Sequence, residues 1–169
     1  YSLGKWCAED FIYYTYDPDP DNMDAQAYYC LKGLSEKGIK KLESNKNLVL
    51  PEKDPKGYKP VWVEDDAFKD KKIESVEIPG NYTHIQSRAF KNCGIKNLKL
   101  HDGLLYVQDS AFENNELTNL TLPETFKYPS KAAFKGNKLT SLVLPNSCTS
   151  IGPSSFMDNQ IASLTLGNK

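Results

Sequence analysis

One spacing constrains this chain more than anything else in it. Phe68, Phe90, Phe112, Phe134 and Phe156 follow one another at a step of 22 residues. Ala67, Ala89, Ala111 and Ala133 precede the first four, and Ser155 precedes the last. Other apolar columns keep the same step: Ile73, Ile95, Leu117, Leu139 and Ile161; Val76, Leu98, Leu120, Leu142 and Leu164; Ile78, Leu100, Leu122, Leu144 and Leu166. Independent columns locked to one period are the mark of a solenoid. Each unit is one turn, and it buries its apolar face only against the turns on either side. A hydrophobic content of 39% suits such a thin stack.

Within each unit the pattern is L-x-x-L-x-L, as in Leu117-Thr118-Asn119-Leu120-Thr121-Leu122. That is the strand of a leucine-rich repeat, with Leu120 and Leu122 inward and Asn119 and Thr121 outward by period-2 alternation. A turn follows at Pro79, Pro123 and Pro145, with His101 and Gly167 as exceptions. Tyr82, Leu104, Phe126 and Cys148 then point inward, as do Val63, Ile85, Val107, Pro129 and Ile151. A unit of 22 residues has no room for a long outer helix, so the back is expected to be short 3₁₀ or irregular turns. The predicted fold class is a leucine-rich-repeat solenoid, mostly β, with a parallel sheet of about five to six strands on its concave face.

Residues 1–50 are out of phase and read as an N-terminal cap; residues 51–169 are the array. Phe11 to Tyr16 is aromatic-rich and predicts a strand. Asp17 to Asp24 predicts a turn, and Ala27 to Leu31 a returning strand, so that the three form a hairpin. Ser35 can N-cap a helix over Glu36 to Ser44 with Ile39 and Leu42 inward. Leu48-Val49-Leu50-Pro51 matches the later units and predicts the first repeat strand. From Pro51 to Pro79 the step is 28 rather than 22, and the extra residues fall in the polar stretch EKDPKGYKP.

At these residues the chain resembles the BspA-like class of leucine-rich repeats. The match is carried by AFKNCGIKNLKL, AFENNELTNLTLPETF, AFKGNKLTSLVLPNSCTSI and SFMDNQIASLTL. GLSEKGIKKLESNKNLVLPEK, with WCAEDFIYYTY before it, is similar to the lead-in of repeat proteins on Gram-positive surfaces. The resemblance implies a secreted or cell-wall-attached bacterial protein of a class associated with adhesion, host contact and virulence. Its partner would be a protein or glycan on a host or neighbouring cell. Pro129 in an Ile/Val column, His101 in a Pro column and a step of 22 where many relatives use one more are departures that bear on local shape.

A net charge of −1 gives no reason to expect nucleic acid. No apolar run approaches the ~18 residues that span a bilayer. A first residue Tyr1 predicts a processed or excised fragment. Leu164 and Leu166 are followed only by Gly167-Asn168-Lys169, which predicts an uncapped last repeat, either truncated or making end-to-end contact. Cys93 and Cys148 lie in different columns more than two turns apart, a separation of ~10 Å or more. That exceeds the ~7 Å limit between Cα atoms for a disulfide. Only Cys7 and Cys30 are left as a possible pair.

Chemical constellations are scarce, and no catalysis, cofactor or metal is expected. The histidines are His84 and His101 alone, in different columns. A nucleophile pair of Cys93 with either is outweighed by the fit of Cys93 to a column shared with Asn115, Asn137 and Asn159. Those asparagines are expected to bracket the backbone of the adjacent turn. Asp17, Asp19, Asp21 and Asp24 have the spacing that opens a calcium loop, but Asn22 stands where its glycine belongs and Tyr28 where its glutamate belongs. Ligand-binding candidates are the outward strand residues of the concave face: Ser75, Glu77, Asn97, Lys99, Asn119, Thr121, Ser141 and Val143, with Ser163 and Thr165 beyond. A second candidate is the aromatic column His84, Tyr106 and Tyr128, ending at Ser150. A third is the aromatic cap (Tyr13, Tyr14, Tyr16, Tyr28, Tyr29). The function expected is a non-catalytic surface binding module, with an architectural spacer in a longer wall-attached protein as the alternative.

Overall fold

A computed structural model describes residues 4–22 and 26–167. The chain winds as a parallel β-solenoid whose rungs stack at the 22-residue step. A short 3₁₀ turn (Ala8–Asp10) leads into β1 (Phe11–Tyr16) and β2 (Tyr28–Leu34), followed by α1 (Glu36–Ser44) and β3 (Asn47–Val49). The repeats then supply β4 (Trp62–Val63), β5 (Ser75–Ile78), β6 (His84–Ile85), β7 (Asn97–Leu100), β8 (Tyr106–Val107), β9 (Tyr128–Pro129), β10 (Ser141–Leu144) and β11 (Ser163–Leu166).

The core is the set of columns visible in the sequence. Phe68, Phe90, Phe112 and Phe134 are each fully buried, and consecutive rings of the column lie 5.0, 5.2, 5.4 and 5.5 Å apart. Tyr82, Leu104 and Phe126 fill the second half of each turn. Even the Ala-Phe corner is laddered: Phe68, Phe90 and Phe112 donate their backbone N–H to the carbonyls of Ala89, Ala111 and Ala133 one turn on. Two left-handed residues flank each corner. One column is Asp66, Arg88, Ser110, Ala132 and Ser154; the other is Asp70, Asn92, Asn114, Gly136 and Asp158. The second holds only Asp, Asn and Gly, the residues that accept a positive φ most readily.

The strands are arranged differently from expectation in two respects. The L-x-x-L-x-L side is broken into β3-β5-β7 and β10-β11, because residues 119–122 between them form no ladder. Leu120 and Leu122 stay buried there, while Leu98 and Leu100 on β7 are only part-buried. The back carries the continuous sheet, with strand order β1-β2-β4-β6-β8-β9. Its rungs are two-residue strands rather than 3₁₀ turns. The hairpin enters this sheet through Cys30↔Trp62 and Leu31↔Val63, so it prolongs the stack and also covers its end.

Ser35 caps α1 as expected, its Oγ accepting from the Gly38 N–H at 3.2 Å. The helix is rotated from the expected setting, however, with Gly38 and Leu42 buried and Ile39 45% exposed. Gly38 is the cause: a Cβ built there would lie 2.0 Å from the Asp10 carbonyl oxygen. The helix can approach the 3₁₀ turn only on its glycine face, which places Leu42 one turn along that face and swings Ile39 outward.

Cys7 and Cys30 are not joined; the cysteines are free thiols. Phe11 pairs with Leu34 and Tyr14 with Cys30, so Cys30 lies four residues down β2 from the end where Cys7 enters, some ~13 Å along the strand. The Cys7 thiol instead meets the Asp10 carboxylate at 3.4 Å.

Candidate functional site

The expected concave-face residues lie on the broken side. Ser75, Glu77, Asn97, Lys99 and Asn119 line a shallow depression of about 280 Å³ together with Asn47 and Val49. Thr121, Ser141 and Val143 are exposed beyond the gap, with Val143 56% exposed. The depression is polar and internally paired. Ser75 Oγ donates to Asn47 Oδ1 at 2.8 Å, and Glu77 Oε2 lies 2.8 Å from His101 Nε2 and 3.6 Å from Lys99 Nζ. His101 hydrogen-bonded to Glu77 holds that carboxyl below its ordinary range.

The continuous sheet presents a different surface. His84, Tyr106 and Tyr128 stand in register on β6, β8 and β9, and Trp62 on β4 extends the row by one turn. Trp62 stacks on Tyr28 with ring centroids 4.0 Å apart and planes 17° apart, and Tyr16 lies 6.0 Å away. The row continues from Trp62 to His84 at 5.2 Å and from His84 to Tyr106 at 5.0 Å. Each ring from Tyr28 to Tyr128 is half-buried. Burial lowers the pKa of His84 from its ordinary value, so its imidazole is neutral at physiological pH. Trp62 was not among the sequence candidates, and Tyr28 and Tyr16 were named only with the aromatic cap. Trp62 was legible, since it stands one step before His84. The place of Tyr28 and Tyr16 beside it was not, because they join the row through hairpin pairing and not through the period.

The asparagine column brackets the backbone as expected. Asn115 Oδ1 accepts from the N–H groups of Cys93 and Ile95 at 3.2 and 3.0 Å, while its Nδ2 donates to the Phe90 and Phe112 carbonyls. Asn137 and Asn159 repeat the pattern. In the same column the Cys93 thiol donates to the Phe68 carbonyl at 3.0 Å, and burial pushes its pKa up to about 12. A thiol held protonated in this way is a packing group and not a nucleophile. Asp17, Asp19 and Asp21 are exposed in the β1–β2 turn, and Asp24 lies outside the described residues. No helix among the described residues is long and apolar enough to cross a membrane.

A family profile for the BspA type leucine-rich repeat region matches residues 62–169 in six copies. The chain belongs to this family. It is similar to a leucine-rich repeat protein of T. pallidum, with a TM-score of 0.73 at 24% identity over 95% of this chain and 70% of that one. It is also similar to a leucine-rich repeat protein from Bacteroides ovatus, with a TM-score of 0.70 at 21% identity over 95% of this chain and 40% of that one. Both likenesses bear on fold alone, and the chain spans well under half the length of the Bacteroides protein. No curated protein matches it. The BspA-type array thus presents two unlike faces, one polar and broken, the other aromatic and continuous.

Proposed function

We propose that this BspA-type chain is a non-catalytic binding module of the bacterial cell surface, and that it attaches to a protein partner on a host or neighbouring cell. The observation that carries this reading is the unbroken row Tyr28, Trp62, His84, Tyr106 and Tyr128. Tryptophan and tyrosine are enriched among the few residues that dominate the energy of protein interfaces, and a rigid sheet presents them already ordered. The polar depression over Ser75, Glu77, Asn97 and Lys99 lacks such anchors, and its charges are already paired with one another. In this reading it is the lesser surface, with Asn119, Thr121, Ser141 and Val143 continuing it.

One observation favours the spacer alternative. The rings from Tyr28 to Tyr106 pack against one another, which would also serve to stiffen an outer wall. Beads coated with the chain should attach to epithelial cells or immobilised matrix protein if it is an adhesin. Attachment should fall ~10-fold or more for Tyr106→Ser, the effect of losing one aromatic anchor. Binding unchanged by Tyr106→Ser and by Tyr128→Ser, with both variants folded by circular dichroism, would leave the spacer reading standing instead.

A further inference from the structure

The repeat is interrupted once, by the six residues added between Pro51 and Pro79. Insertions in a repeat array fall in loops on one side of the stack, and often build its binding face. This one is held firmly. Asp54 is buried, its Oδ1 accepting from the Lys56 and Tyr58 N–H groups at 2.8 and 2.9 Å. Its Oδ2 accepts from the Tyr29 hydroxyl at 2.6 Å, and its own N–H donates to the Tyr58 carbonyl at 2.8 Å. The loop is therefore tied to β2 by a carboxylate with both oxygens engaged.

Between this loop and the hairpin lies a cleft of about 680 Å³, more than twice the volume of the depression on the polar face. Tyr13 and Tyr29 form one wall, stacked at 5.9 Å with planes 12° apart. Tyr58 stands on the loop side with 66% of its surface in water, the most exposed large apolar side chain among the described residues. The Thr15 hydroxyl lines the wall on β1, and Lys56 and Lys59 are exposed at the rim. Among the described residues neither lysine makes an ion pair. The one carboxylate in the cleft is turned inward with both oxygens engaged by neutral donors, and the two lysines outnumber it, so the net charge of the lining is positive.

An occupant matched to these walls has an apolar ring face for the tyrosines, hydroxyls for Thr15 and Tyr58, and an anionic group for the two ammonium groups. We propose that the cleft between the hairpin and the 52–60 loop binds an acidic saccharide, a pyranose ring carrying a carboxylate. The tyrosines stack on the ring, and Lys56 and Lys59 hold the carboxylate. This site is separate from the aromatic row and does not depend on the row binding anything.

Titration calorimetry with a glucuronate-containing disaccharide tests it. Saturable binding is expected, ~10-fold or more weaker for the corresponding neutral disaccharide, which offers the lysines no charge. Tyr58→Ala and the double variant Lys56→Ala with Lys59→Ala should each weaken binding by a similar factor. All three side chains are exposed, so the melting temperature should hold. Lys131→Ala, a remote exposed lysine, should bind as the unaltered chain does. Failure of the unaltered chain to bind the acidic disaccharide would overturn the proposal. So would equal affinity for the neutral sugar, equal affinity for benzoate, or affinity that survives both cleft variants.

Discussion

The Phe90 and Phe112 rings lie 5.2 Å apart with their planes within 2° of parallel, although 22 residues of chain separate them. Parallel rings at that distance are offset-stacked, the arrangement aromatic pairs prefer. Phe112 has such a neighbour on both sides, and Phe156 on one. Phe112→Ala should therefore cost ~3–5 kcal/mol, the cost of a large core truncation that neither neighbour can collapse to fill. Phe156→Ala should cost clearly less, since its ring is only part-buried. Urea unfolding of the two variants checks the order, and a neutral Phe112→Ala would rule out the stacked column as the core of the array.

Asn137 makes the same point for polar groups. Its amide accepts from the Leu117 N–H and donates to the carbonyls of Phe112 and Phe134, all within the buried interior. Asn137→Ala strands the Leu117 N–H, at ~1–3 kcal/mol unless water enters, and takes one of two donors from each of the Phe112 and Phe134 carbonyls, which keep Asn115 Nδ2 and Asn159 Nδ2. We expect a loss of ~2 kcal/mol or more by urea unfolding. Asn137→Asp should be no better, because a carboxylate cannot donate to two carbonyls. Asn159→Ala should cost less, because Asn159 is not fully buried.

Both of these follow from columns legible in the sequence, since anything that recurs every 22 residues is visible as recurrence. The Asp, Asn and Gly column two residues after each phenylalanine was equally open to reading as left-handed backbone. The continuous back sheet was not. Its repeat strands are two residues long, too short for alternation to show, and its entry into the hairpin rests on the two pairs Cys30↔Trp62 and Leu31↔Val63. The break in the other sheet at 119–122 has no counterpart in the sequence, where Leu120 and Leu122 keep perfect phase. The rotation of α1 was missed because Ile39 fits a helical stripe, and the close approach of Gly38 to Asp10 that displaces it is a tertiary contact. The cleft at 52–60 announced itself only as a broken period, with nothing in EKDPKGYKP to say that Asp54 would turn inward to Tyr29.

Asp10 and Lys41 hold the N-terminal cap together, and the pair makes a prediction about acid. The Asp10 side chain is fully buried and Lys41 Nζ lies 2.6 Å from it. Burial alone would raise the carboxyl pKa. The Lys41 ammonium, with the Cys7 N–H and thiol, outweighs it and holds the pKa below its ordinary value. The folded state thus binds this proton less readily than the unfolded state. The stability is present above the ordinary carboxylate range and is lost as pH falls through the lowered value. Lys41→Met should cost ~3–5 kcal/mol at pH 7, because it leaves a buried carboxylate without its partner. The deficit should shrink at acid pH, where Asp10 can be neutralised by protonation. A deficit independent of pH would show that the lysine does not act through its charge on Asp10.

His84 gives a titration of the same sign in a higher pH window and tests whether the aromatic row is a packed structure in solution. The imidazole sits between Trp62 and Tyr106, and burial lowers its pKa from the ordinary ~6.5. In the unfolded chain the ring takes up a proton as pH falls through that value; in the folded chain it resists until lower pH. The unfolded state then holds more protons, so stability must fall as pH drops from 7.5 through the ordinary value, and must level off below the folded one. His84→Gln should remove this part of the profile while leaving the acid limb set by Asp10 in place. Melting temperatures of the two chains, measured at intervals from pH 7.5 to 4.5, would therefore converge as the pH is lowered if glutamine costs some packing at neutral pH. Parallel curves would mean that the row is open enough for His84 to titrate as it does in water, and Trp62 and Tyr106 would then not be packed against it.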